Sequence, residues 1–201
     1  MTKSFNIVLA GVGGQGTLLA GKLFGLIAAK MGLDVKVSEV HGMAQRGGSV
    51  ITYVRIGERV YSPVIEPGAA DFILAFEELE GMRWAHLLRR GGTLLINMRR
   101  TMPMPVAMGQ AEYPDNIIES ILALSEGGTS VYALDAQKLA EEAGSVKAVN
   151  FVMTGAMSHF IDIDKALFYE AINDLFSGKK AALAEMNQRA FDLGSAIIEA
   201  K

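Results

Sequence analysis

The sequence predicts an α/β fold, a Rossmann-like, mostly parallel sheet with an inserted antiparallel hairpin and a helical C-terminal third. Three observations carry this reading. A short apolar run at 5–10 passes through the glycine-rich turn Gly11-Val12-Gly13-Gly14-Gln15-Gly16 into an Ala/Leu-rich stretch at 17–30, the order of strand, turn and helix. Further β-rich runs separated by a helical pattern recur at 70–76 and 93–97. From residue 146 onward strand character disappears.

Each element follows from its local pattern. Gly32 closes the first helix, and 35–40 alternates as a second strand, completing a βαβ unit whose parallel crossover should be right-handed. Residues 41–48 have no periodicity and read as a loop. Residues 49–56 and 59–62 are rich in β-formers and flank Gly57-Glu58, a Gly-first two-residue turn, so they read as the antiparallel hairpin. A buried-strand run at 70–76, a helix at 77–90 stopped by Gly91-Gly92, and a strand at 93–97 form a second βαβ. Pro103, Pro105 and Pro114 then break the chain into a loop, followed by a helix at 115–125, a strand at 131–134 and a helix at 136–143. Helices at 148–160, 163–176 and 179–199 cover the sheet. The chain reads as one domain over 1–201, with its sheet-forming part at about 1–145 and its C-terminal helices at about 146–201.

Composition narrows the chemistry. Half of the 201 residues are hydrophobic, one in five is charged, and 22 are glycine, as in a folded chain with several tight turns. Nineteen basic against 22 acidic residues give a formal charge of −3, too balanced for a protein devoted to nucleic-acid phosphates or a membrane surface. The absence of cysteine excludes disulfides, a Cys nucleophile and thiolate-held iron-sulfur clusters within this chain. The apolar stretch at 7–10 is too short for a signal peptide, and no run approaches a transmembrane helix, so a cytoplasmic protein is expected.

Two constellations carry chemistry. Gly11, Gly13 and Gly16 satisfy G-x-G-x-x-G between a strand and a helix, with Glu39 ending the next strand. Such a turn lets the backbone approach a diphosphate, whose charge meets amide N–H groups and the positive end of the helix. NAD or FAD binding is the first reading. Gly14 and Gln15 add room and a polar amide beyond what packing requires. The loop at 41–48 should lie beside this turn: Arg46 offers a planar donor fork for phosphate or carboxylate, Gln45 adds hydrogen bonds, and Gly47 and Gly48 permit close backbone approach. His41 has no evident acid–base partner, and His86 and His159 read as surface or packing residues. Asn150 reads equally as an amide facing the ligand edge or as a helix cap. Glu77-Glu78 and Glu141-Glu142 read as solvated helix charges, and the 11 methionines as core and interface filler.

The turn Gly11 to Gly16 with its small, apolar helix, followed by Ser38-Glu39-Val40-His41-Gly42-Met43-Ala44-Gln45-Arg46-Gly47-Gly48-Ser49-Val50, resembles the gamma domain of 2-oxoacid:ferredoxin oxidoreductases. The wording of residues 41–48 is most similar to the small (beta) subunits of the indolepyruvate members, since relatives acting on other 2-oxoacids tend to carry a proline in mid-loop. Asn150 with Gly155-Ala156, and Asn187 through Ala190-Phe191 to Gly194, fit the family's C-terminal helices, so the resemblance spans essentially the whole chain.

The resemblance implies a multi-subunit enzyme that decarboxylates a 2-oxoacid on thiamine diphosphate, passes electrons through iron-sulfur clusters to ferredoxin and releases an acyl-coenzyme A. This chain lacks the start of a thiamine diphosphate motif and has no cysteine. Both cofactors, and the contact with ferredoxin, therefore fall to a large (alpha) partner subunit, and this chain is not expected to be active alone or to hold a metal; isolated, it could pair as a homodimer. Relatives line a coenzyme A pocket with the corresponding loops. That carries over to Gly14, Gln45, Arg46 and Asn150, with Gly13, Gln15, Gly47 and Gly48 supplying backbone or amide contacts and Gly11 and Gly16 completing the turn. Some relatives have two adjacent lysines where this chain has Gln45-Arg46, leaving one cation. Indolepyruvate and other aryl pyruvates are the implied substrates. The alternatives are the gamma subunit of a pyruvate, 2-oxoisovalerate or 2-oxoglutarate sibling, and a free-standing NAD or FAD dehydrogenase in which Glu39 would bind ribose.

Overall fold

A continuous apolar run puts strand β1, Phe5–Val12, in the middle of the sheet: Ile7, Val8, Leu9 and Ala10 expose no surface, as expected of a strand covered on both faces. The computed structural model describes residues 4–42, 47–123, 128–178 and 181–199. Helix α1, Thr17–Lys30, follows β1, and strands β2, Asp34–His41, and β3, Ser49–Gly57, come next. Strand β4, Ala70–Ala75, lies parallel to β1, with β5, Leu88–Asn97, and β6, Ser130–Leu134, continuing in parallel. The order across the sheet is β2-β3-β1-β4-β5-β6.

One face of the sheet is covered by α1, α5 (Ala136–Ala143), α6 (Val149–Met157), α7 (Lys165–Leu175) and α8 (Ala181–Glu199), around Phe24, Phe151, Phe168 and Phe191. The other face holds a smaller core of Val8, Ile73, Leu94 and Ile96 with residues around α2, Glu78–Trp84, and α4, Ile117–Leu122; the four-residue α3, Met104–Ala107, lies between these helices in the chain. No helix among the described residues is long and apolar enough to cross a membrane.

The α/β architecture, the mostly parallel sheet and the helical C-terminal third are as the sequence predicts. Three local expectations are corrected. First, β2 is not the neighbour of β1: β3 lies between them, antiparallel to both. The β1–α1–β2 segment thus ends at the sheet edge, where Lys36 and Glu39 keep the free side charged. Second, the hairpin is made by β2 and β3, and residues 59–62 form no strand. Both edges of β3 are already occupied, so the chain after Gly57 has no ladder to join. Side chains fix it instead: the Asp34 carboxylate accepts from Val60 N–H at 2.9 Å, and Arg55 donates to the carbonyls of Ser62 and Val64 at 3.1 and 3.2 Å. Third, the helix expected at 77–90 ends at Trp84, a 3-10 turn covers Ala85–Leu87, and β5 begins before Gly91 and Gly92. Those glycines mark a shift in the β4–β5 register rather than a helix stop: Gly91 has φ 71°, and a Cβ on Gly92 would meet the Asp71 carbonyl at 3.0 Å.

Every residue of α6 is buried, which requires a close approach to α8. Two glycines supply it reciprocally. A Cβ on Gly155 would overlap the Phe191 carbonyl, and one on Gly194 would overlap the Val152 carbonyl. Gly155→Ala and Gly194→Ala should each destabilise the protein by about 3 kcal/mol, the upper end of ordinary overpacking. Gly25 in α1 has no heavy atom within 4 Å of an added Cβ, so Gly25→Ala should instead stabilise by about 0.5 to 1 kcal/mol. Urea unfolding followed by far-ultraviolet circular dichroism checks both signs.

Candidate functional site

The carboxyl ends of parallel strands are where open α/β sheets bind ligands, and here four such ends converge. β1 runs into the glycine turn, β4 into Phe76 and Glu77, β5 into the segment from Met98 to Thr101, and β6 into Asp135. Because β3 is antiparallel, its beginning also lies at this edge: Ser49 is paired with Val12.

Inside the glycine turn the residues divide their work. Gly14 has φ 102° with open space where a Cβ would stand, and Gly16, φ 85°, is the left-handed cap of α1. The Gln15 side chain folds back, its Oε1 accepting from Val12 N–H at 2.9 Å. Gly11 makes room for that contact, since a Cβ there would come within 2.7 Å of the same oxygen. The first turn of α1 has no side-chain cap and no acidic residue, leaving its positive end uncompensated by its own helix.

The two glycine segments are joined through their backbones. Gly13 N–H donates to Gly48 O at 2.9 Å, and Gly47 N–H donates to Gly13 O at 3.4 Å. The expected adjacency of the two loops is therefore present, although the strand between β1 and β2 was not foreseen. Gln45 and Arg46 lie outside the described residues, between Gly42 and Gly47.

A cleft of about 470 Å³ opens beside the glycine turn, walled by Phe76, by residues after β5 and by the start of α6. Gly13, Gly14, Gln15, Gly16, Gly47 and Asn150 all line it. Asn150 is 1% exposed, and its Oδ1 has no hydrogen-bond partner among the described residues. It is not a cap, because the cap of α6 is Ala148. Its amide packs on Gly16, where a Cβ would sit 3.2 Å from Nδ2. A buried amide oxygen left unpaired costs about 1 to 3 kcal/mol, and a donor arriving in the cleft would recover it.

Sequence reasoning missed two cations on this cleft, Arg99 and Lys147. Arg99 lies two residues beyond the end of β5, and its guanidinium donates to Gln137 Oε1 at 2.6 Å. Lys147 is in the 3-10 turn Val146–Ala148 that leads into α6. Both are exposed, and neither forms an ion pair among the described residues. For Arg99 the available signal was position, since a basic residue just past a parallel strand lies at the edge where open α/β sheets bind ligands; Lys147 follows a helix and carries no such signal.

The reading of Glu77 and Glu78 as solvated is overturned. They are 1% and 5% exposed, and Glu80 is 3% exposed. Glu77 caps α2 by accepting from Glu80 N–H at 3.0 Å, while its other oxygen accepts from Thr101 N–H at 2.9 Å and Tyr113 OH at 2.7 Å. Burial, then the Glu77 carboxylate, pushes the Tyr113 phenol well above its ordinary value. Glu78 holds Arg100 at 2.8 Å. These carboxylates brace the wall that carries Arg99 and Thr101. Glu141 and Glu142 are exposed, as expected.

Three further residues fall outside the cleft. Glu39 accepts from Thr52 OH at 3.4 Å and lines a second depression with Lys22 and His41 that also borders Gly13, Gly14 and Gly16; because β3 separates its strand from β1, its place in the sheet differs from that of the ribose-binding acid of a dinucleotide fold. His41 is exposed at the end of β2 with Nδ1 2.9 Å from Gly42 O. His159 meets Ser195 Oγ at 3.0 Å.

A family model described as pyruvate ferredoxin/flavodoxin oxidoreductase matches residues 6–197. The indolepyruvate oxidoreductase subunit IorB of Pyrococcus horikoshii is 43% identical over 195 residues, covering 96% of this chain and 95% of that protein. Its counterpart in Thermococcus kodakarensis is 42% identical over 194 residues, with the same coverage. Among solved structures, a 2-oxoglutarate:ferredoxin oxidoreductase from Magnetococcus marinus, with 2-oxoglutarate, coenzyme A and succinyl-CoA bound, has the same fold over all of this chain and 32% of its own, with a TM-score of 0.74 at 24% identity. The glycine turn, the paired loop and the cleft between them are thus those of a chain that belongs to the pyruvate ferredoxin/flavodoxin oxidoreductase family.

Proposed function

We propose that this chain is the small subunit of a cytoplasmic 2-oxoacid:ferredoxin oxidoreductase that acts on indolepyruvate and related aryl pyruvates, and that its cleft receives coenzyme A. The observation that carries the second part is the unpartnered, buried Oδ1 of Asn150 beside a glycine turn and an uncapped helix start. Coenzyme A supplies both complements. Its phosphates suit the amide N–H groups of α1 and the cations Arg99 and Lys147, and the family resemblance adds Arg46 as a third. Its pantetheine arm carries amide N–H groups and a hydroxyl that can donate to Asn150, while Phe76 and Val149 offer apolar contact.

In the overall reaction a 2-oxoacid and coenzyme A yield acyl-coenzyme A and carbon dioxide, and the two electrons released reduce ferredoxin. Thiamine diphosphate supplies the decarboxylation and iron-sulfur clusters the electron path; both belong to the large subunit, because this chain lacks the start of a thiamine diphosphate motif and has no cysteine to hold a cluster. The small subunit binds and orients the acyl acceptor. The substrate assignment rests on the IorB relatives, named for indolepyruvate and matched along nearly their whole length.

Two experiments test these parts. The complex with the large subunit, assayed by ferredoxin or dye reduction, should prefer indolepyruvate and phenylpyruvate over pyruvate and 2-oxoglutarate; the reverse preference would place the chain in a sibling branch. In the same complex, Arg46→Ala should raise the apparent requirement for coenzyme A by roughly 10- to 150-fold, the value of a charge-assisted hydrogen bond, while decarboxylation continues. Arg46→Lys should recover part of the loss, and Lys147→Ala should act in the same direction. Equal loss of decarboxylation and acyl transfer would assign these cations to subunit assembly instead.

A further inference from the structure

Glu80 is a buried carboxylate with no part in the chemistry described so far. It lies on α2, yet its shortest contact is with the start of β3: Ser49 Oγ donates to its Oε2 at 2.5 Å. Trp84 Nε1 donates to the same oxygen at 3.2 Å, and Arg83 donates to Oε1 at 2.7 Å. Burial pushes the Glu80 carboxyl up, while the Ser49, Arg83 and Trp84 contacts oppose that shift. A buried acid held by three donors costs more than a neutral residue of the same shape, so its presence asks for a reason other than stability.

The contacts of Ser49 point to that reason. Ser49 pairs with Val12 at the end of β1, and Gly48, beside it, accepts the Gly13 N–H at 2.9 Å. Gly47, one residue earlier, forms part of the cleft wall. Glu77, one turn before Glu80 and capping the same helix, holds Thr101, which also lines the cleft. One helix start thus fixes two cleft-lining segments, Thr101 through Glu77 and the start of β3 through Glu80.

We propose that Glu80 is a positioning residue for the coenzyme A cleft: through Ser49 it holds Gly47 and Gly48 against the glycine turn and so sets the width of the cleft at that wall. The inference rests on the coenzyme A reading and extends it to a residue that does not touch the ligand. Removing the Ser49 bond frees the start of β3 to shift, which weakens acceptor binding without altering the decarboxylating centre.

The test uses the purified complex with the large subunit and measures KM for coenzyme A, KM for indolepyruvate and kcat. Ser49→Ala and Glu80→Leu should each raise KM for coenzyme A about ten-fold, the lower end for a charge-assisted bond, with kcat at saturating coenzyme A and KM for indolepyruvate retained. The double variant should be no worse than either single one. Ser49→Thr and Glu80→Gln, which keep the hydroxyl and an acceptor, should restore most of the affinity. If Glu80→Leu does not assemble, Ser49→Ala decides alone. A wild-type complex that depends on coenzyme A and a Ser49→Ala complex with the same KM would overturn the positioning role and leave the cleft assignment standing. A wild-type complex indifferent to coenzyme A would overturn both.

Discussion

The cleft depends on the placement of one antiparallel strand. β3 lies beside β1 in the opposite direction, so the start of one strand faces the end of the other, and Gly13 exchanges backbone hydrogen bonds with Gly47 and Gly48. If β2 were the neighbour of β1, as in a simple βαβ unit, the loop bearing Gln45 and Arg46 would lead away from the glycine turn toward a helix. With β3 inserted, β2 and β3 form a hairpin, and Gly47 and Gly48 before β3 lie against the glycine turn. The same insertion moves Glu39 one strand outward, which separates this site from a dinucleotide fold that shares its glycine pattern.

The surrounding structure tolerates local costs that favour a ligand. Gly14 and Gly16 hold left-handed backbone, α1 begins without a side-chain cap, and Asn150 buries an amide oxygen with no partner among the described residues. The left-handed glycines carry no steric cost and the uncapped helix start a small one, whereas the unpaired amide oxygen is unfavourable in the free chain by about 1 to 3 kcal/mol. They converge on one cleft, so a ligand bearing phosphates and amide donors could offset several together. The rigid framework is supplied elsewhere, by the glycine contacts between α6 and α8 and by the carboxylates of α2.

Much of this was legible locally. The strand-turn-helix at the N-terminus, the buried strand at β4, the strand at β6 and helices α5 to α8 all follow from periodicity and breakers, and the spaced glycine motifs marked the sheet edge at which the cleft opens. What local pattern does not contain is strand order, because the pairing of β3 with both β1 and β2 is decided by tertiary fit. The glycines at 91 and 92 were misread for a related reason: a bulge and a helix stop both require left-handed backbone. Glu77, Glu78 and Glu80 resemble solvated charges in sequence, yet their partners Thr101, Tyr113, Arg100 and Ser49 stand 22 to 36 residues away. Arg99 and Lys147 belong to no motif: the place of Arg99 just past β5 was its one signal, and for Lys147 the fold alone brings it to the cleft that Asn150 lines.

The central claim is that the glycine turn of this family member receives coenzyme A rather than a dinucleotide. Calorimetric titration of the purified complex with coenzyme A and, separately, with NAD at two ionic strengths tests it directly. Saturable binding of coenzyme A that weakens as salt rises, with no heat from NAD, is the predicted result. Micromolar binding of NAD, with coenzyme A inert, would contradict it.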